Sequence, residues 1–161
     1  MNAVNVYHAL YSYLENKTPL KTDCGIICNK ACCISDDPDA GMYLFPQERN
    51  VYSVLPKWAK IEKSDFCSGG VSVDILICNG KCTRELRPLS CRIFPLVPYV
   101  QNGKLNVIID PRGKGICPLA TVSDEFFRAV FNVSRFLYKI KETRCFMYSL
   151  SEQIDEHIKL F

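Results

Sequence analysis

The sequence predicts an α+β fold: helices packed around a small antiparallel sheet, with cysteine-rich loops between them. Three observations lead there. Apolar residues recur at helical spacing near both ends of the chain. In the middle, alternating apolar residues and the dipeptide Asn102-Gly103 mark strands and a hairpin. The chain also holds ten cysteines, most of them grouped in short segments that connect these elements.

Residues 3–15 place Val4, Tyr7, Leu10, Tyr11 and Leu14 about one turn apart, which predicts a first amphipathic helix. His8 falls on or beside it, far in sequence from any cysteine, and reads as a partly buried or surface histidine. A loop from Cys24 to Cys33 follows, then the turn-like run Ser35-Asp36-Asp37-Pro38-Asp39. Those acids lack the ordered ligand pattern of a calcium loop and read as a solvated turn. Phe45-Pro46-Gln47-Glu48 opens a second helix, proline near its first position, that runs to about Leu55 and ends near Pro56. Residues 60–66 and Val71–Cys78 read as strands, the second alternating Val71, Val73, Ile75 and Ile77. Residues 98–101 and 104–110 flank the Asn102-Gly103 hairpin turn. Ser123 caps a helix whose stripe is Phe126, Phe127, Val130, Phe131, Val133, Phe136, Leu137 and Ile140. Aromatics at this spacing cover a core rather than hold a cofactor. A short final helix spans residues 152–160.

Composition narrows the function classes. The chain has 161 residues, 48% hydrophobic and 23% charged, with no repeat and no long linker. One domain covering 1–161 is expected, large enough to bury a core without covalent staples. The net charge of +3, from 20 basic and 17 acidic side chains, is too small to imply a nucleic-acid partner. No apolar stretch is long enough to span a bilayer, so no membrane is expected. Residues 1–16 show no basic start, apolar run and cleavage site, so the expectation is a reducing, cytoplasmic location. There, thiols favour metal ligation over disulfides. A disulfide scaffold is the alternative if the chain derives from a clipped precursor.

The chemistry concentrates in three segments: Cys24-Gly-Ile-Ile-Cys28-Asn-Lys-Ala-Cys32-Cys33, then Cys78-Asn-Gly-Lys-Cys82 with Cys91, then Cys117. Zinc ions and iron–sulfur clusters are held by thiolates, commonly four per centre. Cys24/Cys28 and Cys78/Cys82 each have three intervening residues, with Gly25 and Gly80 as turn glycines. They read as two knuckles that face one metal. Both histidines are remote, so an all-cysteine shell is expected. Neighbouring side chains diverge in extended backbone. Either one of Cys32 and Cys33 ligates while the other packs, or the two serve different ions. The candidate metal ligands are therefore Cys24, Cys28, Cys32, Cys33, Cys78, Cys82, Cys91 and Cys117. The competing account puts Cys24, Cys28 and Cys32 on one face of a helix, as small core residues. Cys67 and Cys145 stand alone and are not expected to ligate.

A basic concentration, Lys81, Arg84, Arg87 and Arg92, lies among these cysteines. A tetrathiolate zinc is negatively charged, and Arg87 and Arg92 are placed to compensate it through hydrogen bonds. Pro88 and Pro95 stiffen the segment presenting Cys91. The plainer account is exposed arginines on a turn.

At these residues the chain resembles the YkgJ-like family of zinc- or iron-chelating proteins, named for a C-x-x-C-x-x-C-C signature. The resemblance rests on Cys32-Cys33 with the two preceding cysteines, and on Arg87-Pro88, Cys91-Arg92 and Phe94-Pro95. It covers residues 24–95 and departs in having three residues, not two, in both early gaps. The chain is also similar to the flagellin lysine methylases grouped with that family. The resemblance implies metal chelation.

The expected function is a metal-binding protein with an all-cysteine zinc or iron–sulfur site, zinc preferred and the shell saturated by thiolates. The alternative is a metal- or iron–sulfur-dependent enzyme related to protein lysine methylases. Against it, the chain has no glycine-rich strand-to-helix motif for a nucleotide or S-adenosylmethionine, and neither histidine adjoins a cysteine segment. A third account is a zinc-stabilised module whose aromatic C-terminal helices dock a protein partner.

Overall fold

A computed structural model of the protein describes residues 2–22, 24–34, 40–80 and 82–160. It opens with helix α1 (Ala3–Leu14), capped by the Asn2 side chain, which accepts the backbone N–H of Val4 at 3.1 Å. The buried face of α1 is Val6, Tyr7, Leu10, Tyr11 and Leu14, one turn apart as an amphipathic helix requires. A one-turn helix α2 (Cys24–Cys28) follows.

Strand β1 (Gly41–Tyr43) pairs antiparallel with β3 (Val71–Cys78), whose other edge pairs with β2 (Ala59–Ser68), in the order β1-β3-β2. The β2–β3 turn carries Gly69 and Gly70 at φ 58° and 78°, a backbone that side chains disfavour. The single expected sheet is in fact two. After helix α3 (Leu89–Ile93), β4 (Leu96–Gln101) and β5 (Lys104–Ile109) form a separate two-stranded ladder. Asn102 and Gly103, at φ 51° and 73°, supply the left-handed pair its tight turn needs.

Two helices complete the described chain, α4 (Asp124–Tyr138) and α5 (Lys141–Leu160). Ser123 caps α4 by accepting the N–H of Phe126 at 3.3 Å. The final helix begins at Lys141, well before the expected residue 152. Its buried face runs Thr143, Phe146, Met147, Leu150, Ser151 and Ile154, so polar residues interrupt the apolar stripe that would have announced it. The Thr143 hydroxyl donates to the carbonyl oxygens of Leu137 and Ile140, which joins the end of α4 to the start of α5.

The helix expected after Phe45 is also corrected. Only one 3₁₀ turn forms, at Glu48–Val51. Gln47 is left-handed at φ 65°, and the Glu48 carboxylate accepts the N–H of Phe45 at 2.8 Å, curling the chain around its own side chain.

The main core joins α1, α3, α4, α5 and the β4–β5 hairpin through residues such as Leu14, Leu89, Leu96, Val130 and Phe146. Each such side chain stabilises by about 1.5–3 kcal/mol when fully buried. A smaller cluster of Leu44, Tyr52 and Leu76 packs on the three-stranded sheet. Among the described residues, no helix is long and apolar enough to cross a membrane. The acidic stretch 35–39 and Lys81 lie outside the described residues.

Candidate metal centre

The first cysteine segment is built from two short turns. Helix α2 sets Cys24 and Cys28 four residues apart on one face, and the Cys28 thiol donates to the Cys24 carbonyl at 3.4 Å. Asn29 and Lys30, left-handed at φ 50° and 56°, break the helix before a 3₁₀ turn at Ala31–Cys33. A continuous helical face through Cys24, Cys28 and Cys32 therefore does not exist. Gly25, expected as a turn glycine, is helical. Neither turn contains a buried residue; Ile26 is 81% and Ile27 63% exposed. Apolar burial does not hold this segment in place.

The second segment begins where β3 ends at Cys78. The N–H of Asn79 donates to the Trp58 carbonyl at 3.1 Å, and Gly80 turns the chain at φ 78°. A Cβ on Gly80 would lie 2.7 Å from the Cys33 carbonyl oxygen, so the two segments touch backbone to backbone. Helix α3 then presents Cys91. Its first turn is held by Glu48, a fully buried carboxylate that accepts the Leu89 N–H at 2.6 Å and the Tyr11 hydroxyl. Burial pushes the Glu48 carboxyl up, against Tyr11, the backbone donors and Arg92, which favour its charged form. Glu48 and Tyr11 are positioning residues that sequence reasoning missed. The third segment follows the Pro111–Gly113 turn, and the N–H of Cys117 donates to the Gly113 carbonyl at 2.8 Å.

These segments converge. Cys24, Cys28, Cys32, Cys91 and Cys117 line one cavity of about 70 Å³. The Cys32 and Cys33 sulfurs are 4.0 Å apart, Cys33 is hydrogen-bonded to Cys82, and Cys91 lies within electrostatic reach of Cys82, Cys78 and Cys33. Cys91 is densely surrounded by protein, which pushes its thiol well up, yet it keeps accessible surface because it faces the cavity. The Cys82 thiol is raised by its bond with Cys33 and then by burial, against the pull of Arg87. Cys33 is raised by its bond with Cys32, which in turn lowers Cys32. None of the ten cysteines is joined in a disulfide. Among the described residues no group of three or more His, Cys, Asp or Glu side chains is placed to hold a metal ion. The thiols are gathered around a space rather than packed onto one point.

Comparison with protein-family models, curated proteins and solved structures finds no match.

The two arginines part company. Arg92 is buried over the Tyr11 ring, its guanidinium carbon 4.4 Å from the centroid. Its Nε donates to the Arg87 carbonyl, Nη1 to Tyr11 and Glu15, and Nη2 to the carbonyls of Arg84 and Glu85. Those contacts occupy all five N–H groups of a guanidinium. None is left for a thiolate, so the compensating role expected of Arg92 is corrected to one of holding backbone. Arg87 does face the thiols: Cys82, Cys33 and Cys91 all raise its affinity for a proton. Its buried Nε has no hydrogen-bond partner among the described residues. A soft donor set beside a half-buried guanidinium, one of whose nitrogens has no partner, suits a group that turns thiols into thiolates.

Cys67 and Cys145 do not line the cavity; both are exposed, beside the turn at Gly69. His8 is exposed on α1. On α4, Phe126, Val130, Val133 and Leu137 are buried, while Phe127 and Phe136 are 39% and 42% exposed. At 3.6 residues per turn those two sit on opposite sides of the helix and make no single docking patch.

Proposed function

We propose that this chain is a metal-binding protein whose clustered cysteines hold zinc in an all-thiolate site, kept reduced in a cytoplasmic setting. The observation that carries the proposal is the first cysteine segment. It is ordered against Gly80 and the cavity without a buried apolar residue of its own, so another source of free energy must fix it. Ordering costs roughly 1–2 kcal/mol per residue. A thiolate-bound zinc supplies far more, and its binding energy counts as folding energy. Held there, the ion neutralises thiolates that burial otherwise keeps protonated, and Arg87 offsets the negative charge that remains. The resemblance of Cys32-Cys33 and of the segment from Arg87 to Pro95 to the YkgJ-like family supports the same reading.

One observation favours the enzyme alternative, with an iron–sulfur cluster or catalytic metal. A second cavity of about 360 Å³, lined by Tyr43, Ser90, Asp110 and Arg112, shares Phe94 with the cysteine cavity. A substrate there would sit one side chain away from the thiols.

Elemental analysis and an absorption spectrum of protein purified without oxygen test the proposal. Zinc with no visible absorption is expected, and Cys28→Ser and Cys82→Ser should each lower the metal content. Full occupancy in both variants, or a folded protein that binds no metal, would reject it. Iron with a brown absorption would put the enzyme reading first.

A further inference from the structure

We infer that the second cavity, between the two sheets, binds a small uncharged molecule: an apolar ring system that carries a carbonyl-type acceptor at one end. The inference stands apart from the metal reading, because no thiol lines this cavity.

The cavity exists because two edge strands do not meet. β1 ends the three-stranded sheet, β4 belongs to the separate hairpin, and residues 40–43 and 96–98 line the same space of about 360 Å³. A ladder cannot close it. The Tyr43 carbonyl is taken by the Ser90 hydroxyl at 2.5 Å, and Pro98 has no N–H to offer. Protein interiors leave few voids larger than a water molecule, whereas small-molecule pockets start at roughly 300 Å³. The space has ligand dimensions.

Its walls set the body of that ligand. Phe45, Leu96, Phe146 and Leu150 are buried core residues, and the Phe45 and Phe146 rings lie 4.9 Å apart at 53°. Flat apolar rings pack well against such a surface.

The polar end sets the head. Asp110 and Arg112 are the only charged side chains among the described residues that line the cavity, and they pair with each other at 2.6 Å. Both Asp110 oxygens accept from Arg112, through Nε at 2.9 Å and Nη2 at 2.6 Å. Arg112 Nη1 donates to Gln153 at 2.8 Å, and Gln153 donates on to the Tyr43 hydroxyl at 3.1 Å. This chain of bonds ties the Pro111–Gly113 turn, α5 and β1 together. It leaves one N–H on each terminal nitrogen of Arg112, and the Tyr43 proton, without an acceptor among the described residues. Donors beside an ion pair that is already neutral suit an acceptor oxygen. A carboxylate would be repelled by Asp110 and an ammonium by Arg112, and either would lose its hydration.

The probe is Prodan, a neutral naphthyl ketone whose emission moves to the blue in apolar surroundings, added to the protein as purified. Saturable binding with blue-shifted emission is expected, displaced by acetylnaphthalene. Naphthoate should compete roughly tenfold or more weakly, because its charge is buried without compensation. Tyr43→Phe keeps the ring and removes one donor, so it should weaken both ketones about three- to tenfold and leave naphthalene itself unchanged. Leu150→Trp, which fills the cavity, should abolish binding. No saturable Prodan binding, naphthoate competing as well as the ketone, or ketone affinity unaltered in Tyr43→Phe would each overturn the inference. None of these results bears on zinc content, so the metal proposal stands or falls separately. Circular dichroism checks that Leu150→Trp keeps its helices; if it does not, the ranking of competitors and Tyr43→Phe decide alone.

Discussion

The α-carbon of Gly80 sits against the carbonyl oxygen of Cys33, so close that any side chain would lie 2.7 Å from that oxygen. This contact is where the two main cysteine segments register, since the Cys78–Cys82 loop can approach the Cys32-Cys33 turn only without a Cβ. Gly80 is also left-handed, at φ 78°.

Gly80→Ala should therefore weaken zinc binding by roughly five- to thirty-fold, the equivalent of about 1–2 kcal/mol of strain and displacement. Gly70→Ala is the matched control: φ is again 78°, but nothing lies within 4 Å of the added carbon. It should lower the thermal midpoint slightly and leave zinc affinity alone. Competition against a chromophoric chelator measures both, and equal affinities for the two variants would show that the Cys33 contact does not matter.

Glu48→Gln should behave as a disruptive change despite its matching shape. One carboxylate oxygen accepts from Tyr11 and the Leu89 N–H, the other from the Phe45 N–H. Whichever way an amide is turned, its NH₂ meets a backbone donor and leaves it without an acceptor. Such a group costs about 1–3 kcal/mol when buried. Thermal or urea unfolding of the two proteins, both metal-loaded, should show a loss of that size. Stability equal to the parent would mean that α3 is not held through this carboxylate.

Stability should respond to pH in opposite directions with and without zinc. In the metal-free fold, Cys33, Cys82 and Cys91 are raised and Cys32 is lowered, so the raised thiols prevail. Groups raised on folding add stability that is fully present below the unfolded thiol value of about 8.5 and is lost as pH climbs through their folded values. The metal-free protein should thus weaken on the alkaline side. Zinc requires thiolates, and its binding releases protons, so its stabilisation grows with pH. The gap in thermal midpoint between zinc-loaded and stripped protein should widen from about pH 6 to about pH 9. A constant gap would mean that zinc displaces no protons from these thiols.

Much of the architecture was legible in the chain because the signals are local. Asn102 and Gly103 both adopt positive φ readily, so the β4–β5 hairpin follows from two residues. Ser123 satisfies an N–H three residues on, and the spacing of Tyr7, Leu10, Tyr11 and Leu14 is the buried face of α1. Where a distant partner decided the outcome, the local signal misled. Phe45-Pro46-Gln47-Glu48 has the makings of a helix start, yet the Glu48 carboxylate is taken by Tyr11 and Leu89 from other elements, and the chain turns once and stops.

The same division runs through the candidate site. Cysteine count, grouping and the absence of nearby histidine in sequence were enough to single out Cys24, Cys28, Cys32, Cys33, Cys78, Cys82, Cys91 and Cys117 as candidates, because thiol chemistry belongs to the residue type. Which thiol faces which is a matter of three-dimensional approach. Gly80 against Cys33, Cys117 at the mouth shared with Cys24, and Arg87 among thiols while Arg92 grips backbone are contacts between segments far apart in the chain. Sequence alone determined that thiols would be grouped along the chain. Tertiary structure decided which of them lie near one another, since a side chain's direction depends on the backbone beneath it and on every neighbour packed against it.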